Sequence, residues 1–130
     1  MVNGKWQVVS VMAESVLKTK SYDFALRIVN LYKFVVAEKK EYVLSKQILR
    51  SGTSVGANIA EAGQGQSKAD FIHKLSIAQK EAFETEYWLR LLRDSEYLTA
   101  PQANSLIADC GELQKLLTAS IRTAKSNLRS

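Results

Sequence analysis

The segment from Arg50 to Glu61 has the residue spacing of a helix but a composition that opposes one. Two glycines, two serines and a threonine interrupt it, and each glycine costs a helix about 1 kcal/mol relative to alanine. Val55 and Ile59 nevertheless continue the apolar line that begins with Leu44 and Ile48. Since propensity alone does not favour a helix here, we expect close contact with another helix to hold this segment helical.

The chain has 130 residues, which suits one domain with its own core. A net charge of +5 weakly favours polyanionic partners. No apolar run approaches the roughly 18 residues that cross a bilayer, and the first residues make a poor signal peptide. The single cysteine, Cys110, excludes an internal disulfide and a cysteine-rich zinc site. We therefore expect a protein of the reducing cytoplasm with no membrane partner.

Apolar residues recur at intervals of three and four along the chain, which predicts helices. The expected ranges are 21–39 for the first helix and about 41–62 for the second, with Ser67 starting the third and Thr99 the fourth. The third helix has the cleanest period: Phe71, Leu75, Ala78, Ala82, Thr85, Leu89 and Leu92. The fourth repeats it: Ala103, Leu106, Cys110, Leu113, Leu117, Ile121 and Ala124. Short connections between long amphipathic helices predict an all-α, up-down-up-down antiparallel four-helix bundle over residues 21–130, preceded by an N-terminal arm of residues 1–20.

Local signals mark the turns between these helices. The run from Glu38 to Glu41 is expected to be a solvated turn or helix end. The triplet at 63–65 is expected to end the second helix through glycine in the left-handed conformation. Ser67 with Asp70, and Thr99 with Gln102, have the spacing of capping boxes.

Four polar residues at helical spacing share one side of the second helix and form what we call the polar stripe: Arg50, Ser54, Asn58 and Glu61. Three acidic residues of the third helix are candidate counter-charges for Arg50: Glu81, Glu84 and Glu86. One interpretation is that the stripe satisfies hydrogen bonds between packed helices, with Arg50 and Glu61 each paired. The other is an exposed or inter-subunit recognition surface.

Small residues at positions four apart lie beside the polar stripe and form the small-residue flank: Gly52, Gly56 and Ala60. Such spacing lets two helix backbones approach closely, as in membrane helix pairs. The flank is therefore a predicted site of close helix packing.

The end of the fourth helix carries a basic face with no acidic residue after Glu112: Lys115, Arg122, Lys125 and Arg129. One interpretation is a solvated helix end, where cations also favour the helix dipole. The other is a strip that contacts phosphates, whose binding would fall steeply with salt.

Catalytic groups are scarce. His73 is the only histidine, which excludes paired-histidine metal sites, and we expect it on a helix surface or at a subunit contact. Cys110 lies on an apolar line and is expected to be a buried small hydrophobe. The glycine-containing run at 63–68 is interpreted as a turn, and three aromatic residues as packing rather than a ligand cage: Tyr87, Trp88 and Tyr97. We predict no enzyme, no cofactor and no metal site.

Several segments resemble one bacterial family, the four-helix-bundle proteins encoded within intervening sequences of 23S ribosomal RNA genes. The resemblance covers roughly residues 21–125 and rests on residues 21–25, 47–51, 54–62, 67–72, 77–78, 84 and 97–98. The positions that match the family's recurrent polar residues are Arg50, Ser54, Asn58, Glu61 and Glu84. One departure is Glu96, at a position where glycine is frequent.

The resemblance implies a homopentamer, in which five copies of +5 would share a charge of about +25. It also links the chain to the accessory variability determinant of diversity-generating retroelements, which works with a reverse transcriptase and its RNA through a basic surface. Our leading hypothesis is a non-enzymatic, oligomeric, RNA- or nucleic-acid-binding accessory protein. The alternative is a protein–protein interaction or assembly module in which the polar stripe docks a partner and charge serves solubility.

Overall fold

Four helices account for most of the chain in the computed structural model, which describes the backbone of residues 4–129 and the side chains of residues 12–127. They are α1 (Gly4–Lys39), α2 (Leu44–Ala62), α3 (Lys68–Asp94) and α4 (Ala100–Arg129). Connections of four or five residues join them, and such short links make consecutive helices antiparallel. The predicted up-down-up-down four-helix bundle is confirmed.

Each helix packs against its neighbours in sequence, and α1 also packs against α4, which closes the ring. The buried apolar side chains of the core come from all four helices: Leu17, Phe24, Ile28, Leu31 and Val35 of α1; Ile48, Val55, Ile59 and Ala62 of α2; Leu75, Ala78, Ala82, Leu89 and Leu92 of α3; Ala103, Leu106, Cys110, Leu113, Leu117 and Ile121 of α4. The periodic lines predicted for the last two helices therefore face the core.

Two predicted helix starts are confirmed by hydrogen bonds. Ser67 Oγ accepts from the Asp70 amide at 3.1 Å. At the start of α4, Thr99 Oγ1 accepts from the Gln102 amide at 3.3 Å, while the Thr99 amide donates to Gln102 Oε1 at 3.0 Å. This reciprocal pair satisfies two amides that the helix itself leaves without partners.

The predicted start of the first helix at Ser21 is wrong, because α1 already begins at Gly4. Ser21 is buried within the helix, where its hydroxyl donates to the Lys18 carbonyl at 3.2 Å instead of capping a terminus. Leu17, one turn earlier, is buried in the core. The division into an arm at 1–20 and a bundle domain at 21–130 stays a prediction.

The Gly-Gln-Gly segment at 63–65 follows the end of α2, but the predicted left-handed glycine is not observed there. Gly63 has φ of −64°, and its amide donates to the Ile59 carbonyl at 3.3 Å, so the chain continues in right-handed turns. Among the residues that the structure describes, positive φ angles occur at Lys40 (55°) and Glu96 (70°) instead. Both follow the end of a long helix, where a left-handed residue reverses the chain.

Replacing Glu96 by glycine is expected to raise the free energy of unfolding by about 0.5–1 kcal/mol. The left-handed conformation costs a residue with a Cβ about 1–2 kcal/mol, and glycine removes this strain. Glycine also has more conformational freedom in the unfolded chain, which offsets part of the stabilisation. Urea unfolding followed by circular dichroism measures the change. Glu96→Gln is the matched control, because it removes the same charge and keeps the strained backbone. Equal stabilities of the two variants would contradict this explanation.

Candidate interaction surfaces

Arg50 of the polar stripe links α2 to α3. Its guanidinium forms an ion pair with Glu81 at 3.2 Å and a second one with Glu84. Two of the three expected counter-charges are therefore observed. The expectation for Glu86 is wrong, because its carboxylate accepts from Gln114 Nε2 at 2.9 Å and lies 3.8 Å from Arg90 Nε.

Glu84 connects this ion pair to two aromatic rings. Its carboxylate accepts from Trp88 Nε1 at 3.0 Å, and the Trp88 ring meets the Tyr87 ring edge-on, with 5.1 Å between centroids. The hydrogen bond from Trp88, helped by Arg50, lowers the pKa of Glu84. The chain of contacts from Arg50 to Tyr87 fixes one aromatic side chain at the outer surface of α3.

The rest of the polar stripe is also engaged within the chain. Ser54 Oγ donates to the Arg50 carbonyl at 2.6 Å, and Asn58 Nδ2 donates to the Ser54 carbonyl at 2.8 Å. Glu61 pairs with Lys74 of α3 at 3.3 Å. Both charged ends of the stripe therefore pair across the α2–α3 contact, as the first of our two interpretations expects.

The small-residue flank lies partly against α1. A Cβ on Gly52 would come within 2.8 Å of the Ile28 side chain, and one on Gly56 would lie 3.2 Å from the Ser21 carbonyl oxygen. Ala60 is exposed to solvent, so it lies outside this close contact. The helix that approaches the glycines is a neighbour in the same chain, which makes the flank part of the bundle's own packing.

The seam between α1 and α4 carries two ion pairs that the sequence did not predict. Lys20 pairs with Glu112 at 2.8 Å, and Arg27 pairs with Asp109. Arg27 also donates to Ser105 Oγ at 3.0 Å. Their positions depend on the register between two helices far apart in sequence, for which the sequence offers no local signal. Both carboxylates of α4, Asp109 and Glu112, therefore form ion pairs with cations of α1.

Three cations of the basic face of α4 have no such partners among the described side chains. Lys115, Arg122 and Lys125 are exposed, and within residues 12–127 none of their side chains forms an ion pair or a hydrogen bond. The side chain of Arg129 lies outside the described ones. At least three of the four predicted cations therefore point into solvent.

The outer surface of α3 presents a second feature that we did not predict from the sequence. Phe83 is 55% exposed and Tyr87 is 60% exposed, and the exposed cations Lys80 and Arg90 lie three residues before and after them. We call these four residues the α3 ridge. Our interpretation of the aromatic set as packing agrees with the partial burial of Trp88 and Tyr97 against the core, but Tyr87 faces solvent. One sequence signal could have revealed the ridge: its aromatic and basic residues are three and four apart, at positions that do not belong to the core-facing apolar line of α3.

The groups that most often carry catalysis do not form a site in the described part of the chain. His73 is exposed on α3. Cys110 is buried, its thiol lies 3.0 Å from the Ala82 carbonyl, and burial raises its pKa to about 12. Among the described residues, no group of three or more histidine, cysteine, aspartate or glutamate side chains is placed to hold a metal ion. None of the described helices combines the length and the apolar character that a bilayer crossing requires.

The fold and these surfaces define an all-α bundle whose candidate sites are exposed helix faces. The chain belongs to the 23S rRNA-intervening sequence protein family, whose pattern matches residues 14–119. Its structure is similar to the crystal structure of a protein of unknown function from the S23 ribosomal protein family of Bacteroides thetaiotaomicron. The two chains are 62% identical with a TM-score of 0.84, and the match covers 85% of this chain and 98% of the other. No curated protein matches the chain.

Proposed function

We propose that this protein is a non-enzymatic, oligomeric accessory factor that binds RNA or another nucleic acid through basic surfaces. The observation that carries the proposal is the basic face of α4, where Lys115, Arg122 and Lys125 are exposed and unpaired among the described side chains. The acidic residues nearest to it on α4, Asp109 and Glu112, are paired with α1. A polyanion that approaches this face therefore meets free cations and neutralised carboxylates.

Electrostatics explains why such a face suits a nucleic acid. Each phosphate that a cation neutralises releases counterions, which favours binding at low salt without requiring a particular sequence. An oligomer would add the +5 of each copy to one field and raise the local concentration of a polyanion. Among the described side chains, the exposed α4 face presents no aromatic or amide pattern for reading bases, so we propose binding through the phosphate backbone.

Charge reversal on α4 tests this function. The variant Lys115→Glu, Arg122→Glu, Lys125→Glu is expected to weaken binding of a labelled 20-nucleotide RNA at least tenfold at low salt. The slope of log affinity against log salt should also fall by about 2, since each lost phosphate contact removes roughly 0.7 for a single strand. Fluorescence anisotropy measures both quantities.

A matched control separates the α4 face from net charge. Reversing three other exposed cations, Lys33, Lys39 and Lys46, gives the same net charge of −1 while leaving α4 intact. We expect the control to lose much less affinity than the α4 variant. Equal losses would reject the α4 face as the site, and absence of RNA binding by the unmodified protein would reject the function.

The alternative of a protein-interaction module is favoured by one observation, an exposed apolar strip on α1. Its members are Met12, Val16, Tyr22 and Leu26. The polar stripe of α2 suits that role less well than we expected, because its charged ends are already paired with α3. The absorbance ratio at 260 and 280 nm after purification at low salt distinguishes the two functions, because only a nucleic-acid-binding protein retains nucleic acid.

A further inference from the structure

We infer that the α3 ridge is a stacking platform for the bases of single-stranded nucleic acid, distinct from the α4 face. Lys80, Phe83, Tyr87 and Arg90 follow one another at intervals of three, four and three residues, so they share one side of α3. Both rings are more than half exposed. The inference rests on the proposed function, and it identifies where bases rather than phosphates would be bound.

Exposed aromatic rings need an explanation here, because burial of either ring would favour folding. Proteins that bind single strands without sequence preference combine aromatic rings, on which bases stack, with cations that follow the phosphates. The ridge places two rings between two cations. Ring-bearing positions four residues apart on a helix have Cβ atoms about 5–6 Å apart, which allows neighbouring bases to meet neighbouring rings.

The platform is held in place before any ligand binds. The Tyr87 ring packs edge-on against Trp88 at 5.1 Å, and Trp88 donates to Glu84 at 3.0 Å. Glu84 in turn pairs with Arg50 of α2. A side chain that is already ordered loses less conformational entropy on binding, so this chain of contacts favours stacking on Tyr87.

Three of the four carboxylates beside the ridge form ion pairs with arginines outside it, which reduces their repulsion of phosphates. Glu81 and Glu84 pair with Arg50, and Asp94 accepts from Arg93 at 2.9 Å. Glu86 accepts from Gln114, and its pair with Arg90 is long, at 3.8 Å, with Arg90 62% exposed. Such loose surface pairs contribute little, so Arg90 remains available to a phosphate.

The charge of the ridge favours a nucleic acid over a second copy of this chain. Two like ridges would bring cations against cations, whereas a single strand offers both negative charge and flat apolar faces. A duplex hides its bases, so it would bind the α4 face but not the ridge. The prediction that follows is a selective loss of single-strand binding when the rings lose their π faces.

The test uses a fluorescein-labelled 15-nucleotide polyuridylate and a 15-base-pair RNA duplex in an anisotropy titration at low salt. Phe83→Leu with Tyr87→Leu is expected to weaken polyuridylate binding about tenfold, within the range measured for loss of base stacking. Duplex binding should not change. The swap Phe83→Tyr with Tyr87→Phe keeps both rings and should bind polyuridylate like the unmodified protein.

A second measurement reports contact at the ridge directly. In a Trp6→Phe background, Trp88 is the remaining tryptophan, and its fluorescence is expected to change when polyuridylate binds and to stay constant with the duplex. Unchanged polyuridylate affinity of the leucine variant would overturn the platform while the proposed function stands. A changed oligomeric state of that variant in gel filtration would also overturn it, because the ridge would then be a protein contact. Failure of both RNAs to bind the unmodified protein would reject the proposed function itself.

Discussion

Replacing Gly52 by alanine is expected to lower the free energy of unfolding by about 1–2 kcal/mol, although the same change favours helix formation in α2. The added Cβ would lie 2.8 Å from both Cγ1 and Cγ2 of Ile28. Ile28 is fully buried, and its β-branched side chain has one strongly preferred rotamer in a helix. Overpacking costs about 1–3 kcal/mol, which outweighs a gain of about 1 kcal/mol in propensity.

Gly111 provides the matched control, because it also lies within a helix and an added Cβ would meet nothing within 4 Å. Gly111→Ala is expected to raise the free energy of unfolding by up to about 1 kcal/mol. The two glycine-to-alanine changes should therefore have opposite signs in urea unfolding followed by circular dichroism. A stabilising effect at both positions would contradict close packing of α2 on α1.

A double-mutant cycle tests the named contact. Ile28→Ala removes both Cγ atoms and costs about 2–5 kcal/mol alone, but it leaves room for the alanine Cβ at position 52. The double variant, Gly52→Ala with Ile28→Ala, should be more stable than the sum of the two single effects predicts, with a coupling energy of about 0.5–3 kcal/mol. Ile28→Val keeps both Cγ atoms and should show little coupling. Equal coupling for the two substitutions would mean that other atoms carry the clash.

The same contact shows how much of the fold the sequence could predict. Periodicity located the buried positions of α3 and α4, because a helix that faces one core must repeat its apolar residues. The capping residues Ser67 and Thr99 were predictable since their partners lie three residues away. Close contact of the Gly52 segment followed from its poor propensity, but which helix approaches it depends on tertiary packing.

Features that depend on contacts between residues far apart in the chain could not be predicted from the sequence. Ser21 has a local capping pattern, but burial of Leu17 one turn earlier extends α1 through it. Glu86 is one of three candidate counter-charges for Arg50 in the sequence, whereas the register of α3 against α4 places it beside Gln114. The exposure of Tyr87 was missed, because an aromatic residue on a helix is usually expected to pack. The sequence therefore predicts which residues share a face of one helix, but not which residues of different helices come into contact.

The same limit applies to the candidate sites. The cations of the basic face on α4 were predictable as a group, because one helix period places them together. Glu112 lies three residues before Lys115 on α4, but it pairs with Lys20 of α1, which only the structure reveals. Glu41 is a further example. The sequence predicts it as part of a solvated turn or helix end, but it is buried, and its carboxylate accepts from the first amides of α2.

Replacing Glu41 by alanine is expected to lower the free energy of unfolding by about 2 kcal/mol. The first amides of a helix have no partner within it, and Val43, which precedes α2, provides no side-chain cap. The Glu41 carboxylate performs this role from further upstream, because it accepts from the amides of Val43, Leu44 and Ser45. The residue is only 8% exposed, so these amides would lose a charged acceptor that water replaces poorly.

Glu38→Ala is the matched control, since it removes the same charge from an exposed position at the end of α1. Surface changes of this kind are usually within about 0.5 kcal/mol. Glu41→Gln should fall between the two, because its amide oxygen still accepts one or two of the bonds but carries no charge to favour the helix dipole. Equal unfolding midpoints for Glu38→Ala and Glu41→Ala would contradict the capping role.

Hydrogen exchange locates the effect within the molecule. In Glu41→Ala, the amides of Leu44 and Ser45 are expected to exchange faster than the loss of global stability explains, because their acceptor is gone. Amides in the middle of α3 should follow the global change alone, since their partners lie within that helix. An equal increase at both places would mean that Glu41 stabilises the bundle as a whole rather than the start of α2.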